Sequence, residues 1–115
     1  MDARYINLAT FRRDGTEVRT PVWYVALDGT LYVFTGGDSG KVKRLRRSSR
    51  ARIAPCDVRG VVRGPWRDAT AQLAPEPAGA MAAMARKYGW QLRVLHFFSV
   101  MSGRSKRRAW IAIAL

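Results

Sequence analysis

The stretch that most restricts the fold runs from Thr20 to Arg47, TPVWYVALDGTLYVFTGGDSGKVKRLRR. Trp23, Val25 and Leu27 alternate with Tyr24 and Ala26, and beyond Asp28-Gly29 the residues Leu31, Val33 and Thr35 alternate with Tyr32 and Phe34. Period-two patterning on both sides of an Asp-Gly pair predicts a β-hairpin, because that pair accepts the positive φ values that match the twist of the paired strands. The second strand then enters a Gly/Ser loop and a short basic helix over 40–48. Val42 and Leu45 face inward there, amid Lys41, Lys43, Arg44, Arg46 and Arg47. Backbone N–H groups, a serine hydroxyl and several cations within one short reach suit an anion.

The remaining chain reads as further strands and helices. A strand over 6–12 carries Ile6, Leu8 and Thr10 on one face and turns back at Asp14-Gly15. Pro21 lacks a ladder donor and is expected at an edge or a bulge. A strand over 51–58 has Ile53, Cys56 and Val58 as buried positions and Pro55 as a bulge. Val61-Val62 and residues 66–73 continue the sheet, with Ala69, Ala71 and Leu73 in alternation, until Pro75 and Pro77 stop it. A helix over 78–87 sets Met81, Met84 and Tyr88 on one face and ends at Gly89. Residues 90–101 fit either a helix or a strand, residues 103–108 read as a basic loop, and residues 109–115 as a closing strand. Six or so strands with two or three helices, in one domain over 1–115, predict a mainly β, α+β architecture. Its form is a partly closed antiparallel barrel flanked by helices.

Charge narrows the choice of ligand. With 21 Lys+Arg against 8 Asp+Glu the formal net charge is +13, so the expected partner is anionic: nucleic acid, a polyphosphate, an acidic cofactor or an anionic membrane surface. A single cysteine, Cys56, excludes an internal disulfide framework and the usual Cys-based zinc sites. No apolar run is long enough to span a bilayer, and a cytoplasmic location is expected. There is no Gly-x-Ser-x-Gly elbow, no framed carboxylate pair and no metal-ligand cluster, so no catalytic or metal-binding residue is assigned. Such a sequence disfavours a hydrolase but suits an enzyme whose cofactor carries the chemistry. By residue type alone, Trp23 and Trp66 read as core or interface residues, the Met81/Met84/Tyr88 stripe as packing, Cys56 as a core thiol and His96 as structural.

The runs LATFRRDGTEVRTPVWYVALDGTLYVFTGGDSGKVKRLRR, ARIAPCDVRG and GPW resemble the pyridoxamine 5'-phosphate oxidase-like split-barrel superfamily, with a weaker echo at KYGW. Within it, the chain is most similar to the small flavin- or deazaflavin-dependent oxidoreductases. The resemblance implies an antiparallel FMN-binding-type split β-barrel with flanking helices, a homodimer, and a cofactor groove at the subunit interface. It implies that Thr20, Pro21, Val22 and Trp23 lie along the cofactor ring, partly through main chain. Thr35, Ser39, Lys41, Lys43 and Arg44 would then hold the cofactor's phosphate.

Coenzyme F420 carries an acidic tail besides its phosphate, so the surplus charge, including Arg12, Arg13, Arg104, Lys106, Arg107 and Arg108, suits it better than FMN. The expected function is hydride transfer from bound reduced deazaflavin to a small, electron-poor organic substrate. Two alternatives stay open: an FMN-dependent oxidoreductase of the same fold, and a non-enzymatic barrel that carries cofactor or binds nucleic acid through basic residues interleaved with Trp23, Tyr24, Tyr32, Phe34 and Trp66.

Overall fold

A computed structural model describes residues 3–36, 40–89 and 108–115. Seven strands, β1 (Tyr5–Phe11), β2 (Glu17–Val22), β3 (Tyr24–Leu27), β4 (Thr30–Gly36), β5 (Arg50–Cys56), β6 (Arg67–Ala74) and β7 (Arg108–Ala114), form one sheet. The described residues also form two helices, α1 (Gly40–Arg47), between β4 and β5, and α2 (Ala80–Tyr88), after β6. Every paired neighbour is antiparallel, in the order β2-β1-β5-β6-β7-β4-β3.

That order forces curvature. The edge strands β2 and β3 are joined by one residue, Trp23, whereas the two edges of a flat seven-stranded sheet would stand about 29 Å apart at 4.8 Å per strand. One residue cannot bridge that gap, so the sheet curls until its edges meet at Trp23 without pairing. The result is a half-barrel, and its interior shows the curl directly. Ile6, Leu8, Val22, Tyr24, Leu31, Val33, Ala51, Ile53, Ala71, Ile111 and Ile113 come from all seven strands, and Leu45 of α1 completes their cluster. A second cluster lies outside the sheet, where Ala80, Met84 and Tyr88 of α2 cover Tyr5, Val25, Cys56 and Trp110.

Local chemistry explains the elements. Asp28 (φ 51°) and Gly29 (φ 80°) both occupy the left-handed region, as a two-residue hairpin turn demands. Helix α1 buries only Val42 and Leu45, three residues apart on one face. Helix α2 buries Ala80, Met84 and Tyr88 at the four-residue period, with Met81 half-buried at the rim, and Gly89 ends it at φ 57°. Pro21 lies on the edge strand β2, opposite Asn7.

Four sequence expectations are corrected. Pro55 forms no bulge: the ladder with β1 runs through it, opposite Ile6. Its missing donor falls on the side where pairing with β6 has ended at Ile53, and its carbonyl accepts the Arg63 N–H at 2.8 Å. Val58 is 65% exposed because β5 stops at Cys56 and the chain turns at Asp57, whose carboxylate accepts the Arg59 and Val61 N–H groups. Val61-Val62 contributes a single bridge, Cys56 to Val62, and β6 begins at Arg67 rather than Trp66. Leu73 keeps the inward phase of Ala69 and Ala71 but lies 37% exposed in an open cleft of about 380 Å³, beside Val42, Ala109 and Trp110. The stretch 90–101, the basic loop before Arg108 and His96 lie outside the described residues. Among those described, no helix is long and apolar enough to cross a membrane.

Candidate anion and ring site

The cations of α1 do not stand alone. The Arg44 Nε donates to the Thr10 Oγ1 at 2.6 Å, and the Arg47 Nη2 donates to the Phe11 carbonyl at 2.8 Å. Both side chains thereby reach from α1 to the end of β1, where Arg12 follows. Thr10 is 1% exposed, so its hydroxyl is a fixed acceptor buried beneath the cluster. Arg50 adds a guanidinium 4.0 Å from the centre of the Phe11 ring.

Electrostatics mark this corner as short of negative charge. Burial, and then the neighbouring Arg44, push the Lys41 ammonium below its ordinary pKa. Burial, and then Arg12 and Arg47, do the same to Arg44. Among the described residues, no carboxylate lies within ion-pair distance of Arg12, Lys41, Arg44 or Arg47. Elsewhere ion pairs join Arg19, Arg52, Arg59 and Arg63 to Glu17, Asp57 and Asp68. Asp14 is near enough for Arg12 to help lower its carboxyl, after the larger effect of its bonds to Thr16. The first turn of α1 holds no acid to complement the helix dipole. A bound anion with several oxygens would relieve each of these repulsions.

The residues expected along a ring system lie at the β2 edge. Val22 points into the barrel, Thr20 is half-buried and Pro21 is exposed. Trp23 stacks on Tyr88 with ring centres 4.4 Å apart and planes 13° from parallel. Strand β1 connects the two groups: Thr10, under Arg44, pairs with Val18, Leu8 with Thr20, and Ile6 with Val22. Four residues of strand, about 14 Å at 3.4 Å each, separate the levels of the cation cluster and the Val22–Trp23 corner.

No family model matches the sequence, and no curated protein does. Solved structures do match in shape. A Listeria innocua protein, provisionally described as a pyridoxamine 5'-phosphate oxidase, is 16% identical with a TM-score of 0.61, over 96% of this chain and 82% of its own. A FAD-binding protein from Mesorhizobium loti is 19% identical with a TM-score of 0.56, over 97% and 78%. HutZ, the heme storage protein from Vibrio cholerae, is 14% identical with a TM-score of 0.70, over 98% and 82%. The fold is the pyridoxamine 5'-phosphate oxidase-like split barrel.

Within the split barrel, the residues expected from sequence divide into groups. Thr20, Pro21, Val22 and Trp23 are contiguous at the β2–β3 crossing, and Lys41 and Arg44 stand one helical turn apart in the cation cluster. Lys43 is exposed, about 200° around the helix from Lys41. Thr35 is half-exposed near the end of β4, opposite Ala109 of β7, and Ser39 lies outside the described residues. From the sequence Arg12 is one of the surplus cations, Arg47 a cation of the same basic helix as Arg44, and Thr10 a strand-face residue. The sequence does not link Thr10 or Arg12 to Arg44, because that link depends on α1 lying against β1. The spacing of Arg44 and Arg47 by three residues was the available signal.

Proposed function

We propose that the protein is an oxidoreductase that binds a phosphate-bearing deazaflavin, coenzyme F420, or alternatively FMN. It passes hydride from the reduced cofactor to a small, electron-poor organic substrate. One observation carries the reading: Arg12, Lys41, Arg44 and Arg47 crowd one corner with no carboxylate in ion-pair reach among the described residues, although several cations elsewhere are paired.

The donor set fits a phosphate. Guanidinium and ammonium groups give charge-assisted hydrogen bonds of about 1.5–3 kcal/mol each, and two or three of them would anchor a phosphate firmly. Lys41 and Arg44 would hold it, with Arg12 and Arg47 adding field and Thr10 fixing the Arg44 side chain. The β2 edge from Thr20 to Trp23 would lie along the ring system, using main-chain groups on the side that faces no strand. Ser39 and Thr35 would supply further donors, and Lys43, on the other side of α1, only long-range field. The cofactor, when bound, supplies the hydride; the chain orients it and keeps its charge compensated. We place the cofactor in a groove of a homodimer, with the substrate over its exposed ring face. The FAD-binding relative in fold supports a flavin-type ligand.

Fluorescence titration with F420, FMN and a short single-stranded oligonucleotide at near-physiological salt tests this. Saturable binding of either cofactor, lost in a Lys41→Ala/Arg44→Ala variant, is the expected result. Binding of the oligonucleotide alone would replace the oxidoreductase with a nucleic-acid-binding barrel.

A further inference from the structure

Where the chain leaves one sheet edge for the other, side chains of α2 take both main-chain polar groups of Tyr24. The Tyr24 N–H donates to the Tyr88 hydroxyl at 2.9 Å, and the Lys87 ammonium donates to the Tyr24 carbonyl at 2.9 Å. The Tyr88 hydroxyl gives its single proton to the Arg4 carbonyl at 2.7 Å, so its 3.2 Å approach to the Tyr24 carbonyl is secondary. The Tyr24 hydroxyl donates in turn to the Ala3 carbonyl. Rings close the assembly: Lys87 Nζ stands 3.2 Å from the centre of the Tyr24 ring, and the Arg4 guanidinium 5.4 Å from that of Tyr88.

Tyr24 and Tyr88 are each 1% exposed, which shields the bond from the Tyr24 N–H to the Tyr88 hydroxyl from water, while those from Lys87 and to the Arg4 carbonyl are partly buried. Trp23 is the sole residue between β2 and β3. Its backbone is therefore fixed from one side by the Ile6–Val22 pairing and from the other by the clamp on Tyr24. Its ring is fixed by the stack on Tyr88.

We infer that Lys87 and Tyr88 are positioning residues for the segment Thr20–Trp23, clamping Tyr24 so that the β2 edge and the Trp23 ring stand where a ligand ring must lie. This rests on the flavin or deazaflavin reading of that segment. Burial, and then Arg4, push Lys87 down to about 8, whereas the Tyr24 carbonyl and ring face favour the ammonium. Among the described residues no carboxylate is within ion-pair distance of Lys87, so its contacts are those with Tyr24 and the aromatic faces.

The test compares Lys87→Met with Lys87→Arg, which keeps a permanent cation and donor. The readouts are thermal melting, the ¹H–¹⁵N resonances of Trp23 and Tyr24, and titration with F420 and FMN. Lys87→Met is expected to melt cooperatively, to shift the Trp23 and Tyr24 resonances, and to weaken cofactor binding about fivefold, the scale of one lost hydrogen bond. Lys87→Arg restores both readouts, and Lys41→Ala weakens binding without moving the Trp23 resonances. Should Lys87→Met not melt cooperatively, Lys87→Gln carries the same comparison. Unmoved resonances, or shifted resonances with affinity within twofold of wild type, overturn the clamp alone. Wild-type protein that binds neither cofactor overturns the flavin reading, and the positioning role with it.

Discussion

Replacing Tyr88 with Phe removes one oxygen and leaves the ring, so the stack on Trp23 and the packing of α2 survive while the hydroxyl's hydrogen bonds do not. The Tyr24 N–H, in a residue 1% exposed, loses its acceptor. The Arg4 carbonyl loses its donor, but Arg4 is exposed and water can replace it. An unsatisfied buried N–H costs about 1–3 kcal/mol and the solvated loss about 0.5–1 kcal/mol. A destabilisation of about 2.5 kcal/mol is therefore expected. With an unfolding entropy near 0.24 kcal/mol/K for a chain of this length, the melting temperature falls by about 10 °C, and the urea midpoint by about 1–2 M. Urea titrations followed by far-UV circular dichroism and tryptophan fluorescence measure it. A change below about 0.5 kcal/mol would mean that the hydroxyl does not hold Tyr24, and the clamp would lose its principal member.

Three further outcomes are expected. Inorganic phosphate should raise the melting temperature of the wild type by a few degrees over chloride at equal ionic strength, about 1.4 kcal/mol at ten times the dissociation constant. Arg44→Ala should lose that protection, on top of a lower melting temperature in chloride because the buried Thr10 hydroxyl loses its donor, and a wild type indifferent to phosphate would contradict an anion site. Lys87 titrates near 8 when folded against 10.5 ordinarily, so the unfolded chain binds more protons between those values and stability rises with pH across that window. Tyr88, pushed up to about 12 from 10, stabilises fully below 10 and loses that contribution as pH rises through 12. Urea midpoints from pH 7 to 10.5 should therefore rise in the wild type and rise less in Lys87→Met. A Cβ on Gly64 would stand 2.6 Å from Pro55 Cγ, so Gly64→Ala should cost about 1–3 kcal/mol as overpacking, and Pro55→Ala in the same chain should recover part of it by calorimetry.

The local elements were legible in the sequence because their causes are local. The Asp28-Gly29 turn, the Val42/Leu45 face and the Gly89 stop each follow from a few adjacent residues. Burial was harder, since alternation separates inside from outside only where one face of a strand meets water. All seven residues of β1 are buried, so its pattern cannot say which face lines the barrel. Val58 and Leu73 fit the buried phase, yet one lies past the end of its strand and the other in an open cleft. Pro55 read as a bulge because nothing nearby in sequence shows that β6 stops pairing beside it. Lys41 and Arg44 of the candidate site are visible in the sequence as cations of one basic helix, but the contacts of Thr10 and of the Tyr24 clamp join residues 34 and 63–64 positions apart.

Strand β7 has a bearing on how the molecule is made. It follows the other six described strands in the sequence, yet it sits between β6 and β4 in the sheet. Until a ribosome has delivered it, β2-β1-β5-β6 and β4-β3 are separate ladders, each with an unpaired inner edge. Such edges invite pairing with other nascent chains, so this sheet closes only once the seven-residue strand β7 has joined both ladders. Shortening it should therefore yield inclusion bodies rather than a loosened native protein.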